Sequence, residues 1–218
     1  MKKKILIIGT GGHANSLADV ISMSDKFKVF GMIAKSKNDK IFSTKYKIIG
    51  LEKNLAEIKN KIKYALIGFG SIKSFNRRLT IFNKLKKIGF RFPSIISKYA
   101  YVSKNSKISE GTIVMHGAFI NTGSKIGQNC IINSKSIIEH DAVIENNSHI
   151  APGAIICGSA KIGKNCIIGA GSVVKEGVKV SSNSIIGANS FLDKDLKPNK
   201  IFINKSKIMI KNIWPKKK

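Results

Sequence analysis

The chain has 218 residues, enough for one or two domains, and an apolar content of 43% that suits a globular protein. Lys and Arg (39) outnumber Asp and Glu (12) for a net charge of +27, but only Arg77, Arg78 and Arg91 are arginines and no aromatics alternate with the lysines; this disfavours a nucleic-acid platform and favours attraction of a small phosphate-bearing ligand. No apolar run reaches transmembrane length, Lys2-Lys3-Lys4 leads into too short a stretch for a signal peptide, and three cysteines lack metal spacing, so a cytoplasmic protein is expected.

The first apolar run, Lys4–Ile8, ends in Gly9-Thr10-Gly11-Gly12-His13-Ala14 and passes into a helical pattern that reaches about Met23. Backbone N–H groups at such a helix start can hold a phosphate. The string satisfies G-x-G-x-x-A, yet the acidic residue of a dinucleotide site is missing after the second strand, Lys28–Ile33, where the chain reads Ala34-Lys35-Ser36. A strand near Tyr46–Ile49, a helix around Asn54–Lys61, a buried strand Tyr64–Ile67 ending in Gly68-Phe69-Gly70, and an amphipathic helix Ile72–Ile88 follow. This alternation predicts a small Rossmann-like parallel α/β domain over residues 1–92, with its ligand at the carboxyl ends of the strands beside Gly11–His13 and Gly68. Phe92-Pro93-Ser94 is the hinge into a second domain, 93–218.

From Ile96 to Leu192 an aliphatic residue returns every six positions, and four residues after each comes a small one, Val178 excepted. Neither a helix nor an ordinary strand has this period. A coil with three flat faces does, each face burying two side chains and turning one corner, so the spacing predicts about five coils of a parallel β-helix of hexapeptide repeats. Cys130 and Cys166 fall on small inward positions and are expected to be buried packing thiols. After Leu192 the repeat fails: Asp193–Asn199 reads as a turn, Ile201–Ile203 and Ile208–Ile210 as short apolar runs, and Pro215–Lys218 as a frayed tail.

Four histidines are available for chemistry. His140, in Ile138-Glu139-His140-Asp141, sits two places after an inward aliphatic and therefore on an outward corner. Its acidic neighbours stabilise the protonated ring and fix its tautomer, as a general base requires. Gly158 occupies the same corner one coil up and leaves a groove. His149 is at an outward strand position. His116 is expected to be a solvated surface residue, and His13 lies in the glycine turn. The separations from 116 to 140 (24) and from 140 to 149 (9) do not suit the three converging histidines of a hexapeptide zinc enzyme, so no metal is expected.

The stretch Ile132–Asp141, with Ser148-His149-Ile150-Ala151-Pro152-Gly153-Ala154, Cys157-Gly158 and the amino-terminal Gly9-Thr10-Gly11-Gly12-His13, closely resembles the hexapeptide sugar acetyltransferases of the NeuD/PglD type. These include sialic acid O-acetyltransferases and UDP-4-amino-sugar N-acetyltransferases. The resemblance implies a left-handed β-helix, a homotrimer, acetyl-CoA in the groove between neighbouring solenoids, and a sugar held by the first domain. It implies His140 as catalytic base and Asp141 as the acid that raises its basicity. It implies His149 at the acetyl thioester, Gly158, Ala170 and Ala188 along the coenzyme groove, and Gly11, Gly12, His13 and Gly68 at the sugar. Two departures stand out. Ala34 and Lys35 replace an acidic pair that contacts the nucleotide in the UDP-sugar enzymes, and Ile203-Asn204-Lys205-Ser206-Lys207 replaces the usual Gly-x-Pro-Ala-Lys/Arg. The expectation is thus an acetyltransferase acting on a sugar amine or hydroxyl. The alternative is a non-catalytic scaffold that binds a nucleotide or phospho-ligand.

Overall fold

The computed structural model describes residues 1–36, 45–71 and 76–204. The first domain contains β1 (Lys3–Ile8), α1 (Gly12–Ser22), β2 (Phe27–Ala34), β3 (Ile48–Leu51), a 3₁₀ turn at Glu52–Asn54, α2 (Leu55–Lys59), β4 (Tyr64–Ile67) and α3 (Asn76–Ile88). All four strands are parallel in the order β3-β2-β1-β4. Central β1 is covered on both faces, Ile5 and Ile7 joining the α1 side and Leu6 and Ile8 the α3 side, which is why its sequence is a continuous apolar run. β3 begins two residues later than the pattern suggests, and residues 72–75 of the expected last helix lie outside the described residues. Gly68 follows β4 where the chain crosses β1 and α1. A Cβ there would stand 2.5 Å from Ile7 Cγ2 and 2.9 Å from Ala14 Cβ, so close packing alone demands glycine.

From Ile95 the chain winds as a left-handed β-helix of two-residue strands, one every six residues, each paired in parallel with the strand 18 residues on: Ile131–Ile132 with His149–Ile150, Ile137–Ile138 with Ile155–Ile156, Lys125–Ile126 with Val143–Ile144. Corners repeat just as strictly. One residue per corner has positive φ, from Gly111, Gly117 and Gly123 through Asn129, Lys135, Asp141 and Asn147 to Asn183 and Asn189. Gly and Asn tolerate this left-handed region best, which explains their abundance at three residues past each aliphatic. Inside, Ile120, Ile138, Ile156 and Val174 stack with Ala118, Ala142, Ala154 and Ala160 into one continuous core, and Cys130 and Cys166 belong to it. The inward register breaks at the start. Ile96 is 42% exposed, and Val102 and Ile108 are half-buried, because no coil lies beneath them.

The residues just before each inward aliphatic point outward and differ by face. One face carries Ile95, Ile113, Ile131, His149, Ile167 and Ile185; the second Tyr101, Phe119, Ile137, Ile155, Val173 and Phe191; the third Lys107, Lys125, Val143, Lys161 and Lys179. The first face receives the α/β domain, with Ile95, Ile113 and Met115 packed in one cluster with Leu17, Ala18 and Ile21 of α1.

Two polar links complete the junction. Arg78 of α3 is buried and donates from Nη1 to the carbonyls of Ile67 and Phe69 (2.9 Å each) and from Nε to that of Asn129 across the junction (3.4 Å). Desolvation pulls its pKa down to about 10. His116 bridges as well. Its Nε2–H donates to Asp19 Oδ2 of α1 (3.0 Å), its Nδ1 meets Ser97 Oγ at 2.6 Å, and its ring leans on Tyr99. The expected solvated His116 is therefore a domain tie. The sequence conceals this because its partner Asp19 is 97 residues away.

Candidate active site

The solenoid assembles the expected residues into two groups at opposite edges of its second face. At one edge, Asp141 is the corner residue with φ 59°. This turn swings its carboxylate back onto the preceding side chain, and His140 Nδ1–H donates to Asp141 Oδ2 at 3.0 Å. The proton on Nδ1 leaves Nε2 with its lone pair, the form a base needs. The hydrogen bond to Asp141, its charge, and the charges of Glu139 and Glu176 raise the His140 pKa above its ordinary value. Glu139 is held by Asn121 Nδ2 one coil below, at 2.7 Å. Gly158 stands one coil above, where its missing side chain leaves room for the imidazole. Glu139 and Glu176 also raise the pKa of the neighbouring Cys157 thiol, after desolvation, so Cys157 is a poor nucleophile.

At the other edge a cleft of about 480 Å³ runs along the coils between the first face and the next corner. It is lined by Ala151, Pro152, Ile167, Gly169, Ala170, Ile185, Gly187 and Ala188, and closed at one end by His13, Gly70, Ser71, Asn133 and His149. His149 points outward from its strand, as expected, yet is only 8% exposed because the loop after β4 covers it. Its Nδ1–H donates to the Ser71 carbonyl (2.9 Å) and its Nε2 accepts from Asn133 Nδ2 (3.2 Å). Gly70 lies beside the ring, where a Cβ would stand 3.4 Å from His149 Cε1, at ordinary contact distance. Desolvation, with Arg78 opposing a second positive charge, holds the His149 pKa down to about 4 despite the Ser71 bond. His13 is held lower, at about 3, by burial and by Arg78 and His149. Both rings are neutral near pH 7. His13 Nε2 and Ser71 Oγ are buried at this end and have no hydrogen-bond partner among the described residues.

His13, His149, Ala170 and Ala188 thus share one cleft, whereas His140, Asp141 and Gly158 share the opposite edge; within one chain Gly158 does not join Ala170 and Ala188. Gly11 and Gly12 start α1 with open space where a Cβ would stand. Asn133, Ser71 and Gly70 escape the sequence reading. Ser71 and Gly70 meet His149 only through the packing of the two domains. Among the described residues no group of three or more His, Cys, Asp or Glu could hold a metal ion.

Comparison with known proteins bears on the two domains. Residues 4–85 match the PglD N-terminal domain, residues 123–158 the bacterial transferase hexapeptide (six repeats), and residues 160–194 the hexapeptide repeat of succinyl-transferase. No curated protein sequence matches significantly. Similar solved structures include a mutant perosamine N-acetyltransferase from Caulobacter crescentus in complex with CoA and GDP-perosamine, at 24% identity and TM-score 0.85 over 92% of this chain and 93% of that one. The acetyltransferase domain of PglB from Neisseria gonorrhoeae, in complex with acetyl coenzyme A, has 23% identity and TM-score 0.84 over 94% and 97%. WeeI from Acinetobacter baumannii has 20% identity and TM-score 0.77 over 95% and 100%. The chain therefore joins a PglD-type N-terminal domain to the left-handed solenoid of hexapeptide transferases, the NeuD/PglD architecture that its sequence resembles.

Proposed function

We propose that the protein is a homotrimeric acetyltransferase that moves an acetyl group from acetyl-CoA to an amine or hydroxyl of a sugar, with His140 as general base. The observation that carries this reading is the position of the two residue groups on either side of the second face. That face is apolar along its length, with Tyr101 stacked on Phe119 at 4.9 Å and Ile137, Ile155 and Val173 above them. Three copies that turn this face to a common axis bury it, and each then brings its His140 edge against the neighbour's Ala170–Ala188 cleft. A site assembled this way excludes water from a base that is half exposed in one copy.

In this site the apolar cleft takes the pantetheine arm, its acetyl end at His149 and Asn133. The CoA and acetyl-CoA complexes of the similar proteins support that donor. His140 Nε2 removes the proton from the acceptor as it attacks the acetyl carbonyl, and Asp141 steadies the imidazolium. The C–S bond then breaks and the proton passes to the departing CoA sulfur. Asn133 Nδ2 spends one N–H on His149 and has a second for the tetrahedral oxyanion. The open turn at Gly11-Gly12 and His13 Nε2, which has no partner among the described residues, offer the sugar a place beside the acetyl group.

Mixing two inactive variants tests both the chemistry and the assembly. His140→Ala removes the base, and Ala170→Trp fills the cleft. Co-expressed in equal amounts, a site built from two copies recovers about one quarter of the wild-type rate, since each half must come from the intact source. No recovery, or a wild-type rate for either variant alone, overturns the reading. A protein that binds acetyl-CoA yet transfers acetyl to no sugar acceptor would favour the scaffold alternative.

A further inference from the structure

Arg78 is a charge where stability alone would put none. It stands on α3, 2% exposed, and every acceptor it meets is a main-chain carbonyl. Among the described residues no carboxylate pairs with it, and its Nη2 has no hydrogen-bond partner. A buried cation of this kind is less favourable than a well-packed apolar side chain of similar volume. Its reach, however, is specific. Nη1 holds the carbonyls of Ile67 and Phe69, and so the backbone that leads to Gly70 and Ser71, while Nε holds that of Asn129. Asn129 Nδ2 in turn donates to Asn147 Oδ1 on the corner one coil up (2.9 Å), and Asn147 lies just before His149 in the chain. Ser71 and His149 meet at 2.9 Å between these two anchored segments.

We propose that Arg78 is a positioning residue for acetyl transfer: it clamps the chain after β4 to the Asn129 and Asn147 corners, and thereby holds His149 with its proton on Nδ1 and Asn133 with an N–H toward the acetyl group. The inference rests on the reading that the cleft takes acetyl-CoA. The Ser71 carbonyl can only accept, so while it stays in place the ring proton belongs on Nδ1 and the Nε2 lone pair faces Asn133. A proton on Nε2 would turn the Asn133 amide over, and its oxygen would then repel the thioester carbonyl. The Arg78 charge adds to burial in opposing a second proton on His149 or His13. Arg78 is not among the residues that line the cleft, so it acts through His149.

Arg78→Lys keeps the charge and loses the planar fork that reaches both segments. In full-length protein with isotope-labelled histidine, the His149 ring-nitrogen resonances, assigned by their loss in His149→Gln, should move from the Nδ1–H pattern toward a mixture of tautomers. With acetyl-CoA, kcat/KM should fall about 10–100-fold, as an ångström of misplacement implies. Affinity for CoA, which lacks the acetyl group, should stay unchanged, whereas general damage to the cleft would weaken both alike. His116→Ala, which cuts the other polar tie between the domains, should leave the His149 resonances and kcat/KM as they are. Asn147→Gly suits the positive φ of its corner and decides the matter if Arg78→Lys fails to fold; it should move the same resonances by less. Unmoved ring resonances in the folded variants, parallel losses for CoA and acetyl-CoA, or the same changes in His116→Ala overturn the proposal. A wild type that transfers no acetyl group overturns the functional reading instead, and moved ring resonances would then still support the clamp on His149.

Discussion

Gly158 leaves the space that the His140 ring occupies: a Cβ on residue 158 would lie 2.6 Å from both Cε1 and Nε2 of that ring. The φ of Gly158 is not in the left-handed region, so alanine strains no backbone there and acts on the ring alone. Gly158→Ala should lower kcat about 10–100-fold with little change in thermal stability, because an ångström of misplacement is costly in catalysis. A crystal structure of the variant checks whether the imidazole has swung away from Asp141.

His140→Ala should lower turnover about 10²–10⁴-fold without loss of folding, since the exposed ring contributes nothing to the core. Asp141→Asn should fall between it and wild type. Asparagine accepts the positive φ of this corner but removes the charge that raises the His140 pKa. The base works deprotonated, so activity falls as pH drops through the raised pKa. In Asp141→Asn this acid limb should move to lower pH, which a kcat/KM profile reads directly.

Burial of His13 and His149 makes the domain junction acid-sensitive. Both folded pKa values lie below the unfolded value near 6.5, so between about pH 6.5 and 4 the unfolded chain binds protons that the folded one does not. Stability therefore falls as pH drops through that window, by on the order of 1 kcal/mol per histidine per pH unit. Thermal melts at pH 7 and 5 should differ less in His149→Gln, which removes one of the two groups.

Charge placed in the second face should prevent assembly. Ile155→Glu buries a carboxylate at the proposed three-fold contact and should yield monomers without turnover, whereas Lys125→Glu on the lysine face should leave trimer and rate unchanged. Light scattering at micromolar concentration distinguishes these outcomes, and a monomeric wild type would remove the basis for a shared site.

Much of this architecture is legible in the residues because it is local or strictly repeated. The six-residue period foretells the stacked coils, and the strand–glycine–helix alternation foretells the parallel sheet. His140 and Asp141 are adjacent in sequence, so their hydrogen bond needs no long-range folding. A further period was present and easily overlooked. Outward positions 18 residues apart are apolar or aromatic on one face, from Tyr101 through Phe119 to Phe191, and lysine on another, from Lys107 to Lys179 with Val143 as the exception, and this sorting separates the faces.

The sequence alone determined the coil, its register and the corner that carries His140, since a one-dimensional repeat makes each contact a fixed number of residues away. The tertiary structure decided what covers the coil. His116 pairs with Asp19, His149 is sealed under Ser71, and Arg78 reaches Asn129 only because the α/β domain packs on one of three otherwise similar faces. No period encodes those contacts: they join residues roughly 50–100 positions apart, and their geometry follows from how Ile95 and Ile113 bury their surface against α1.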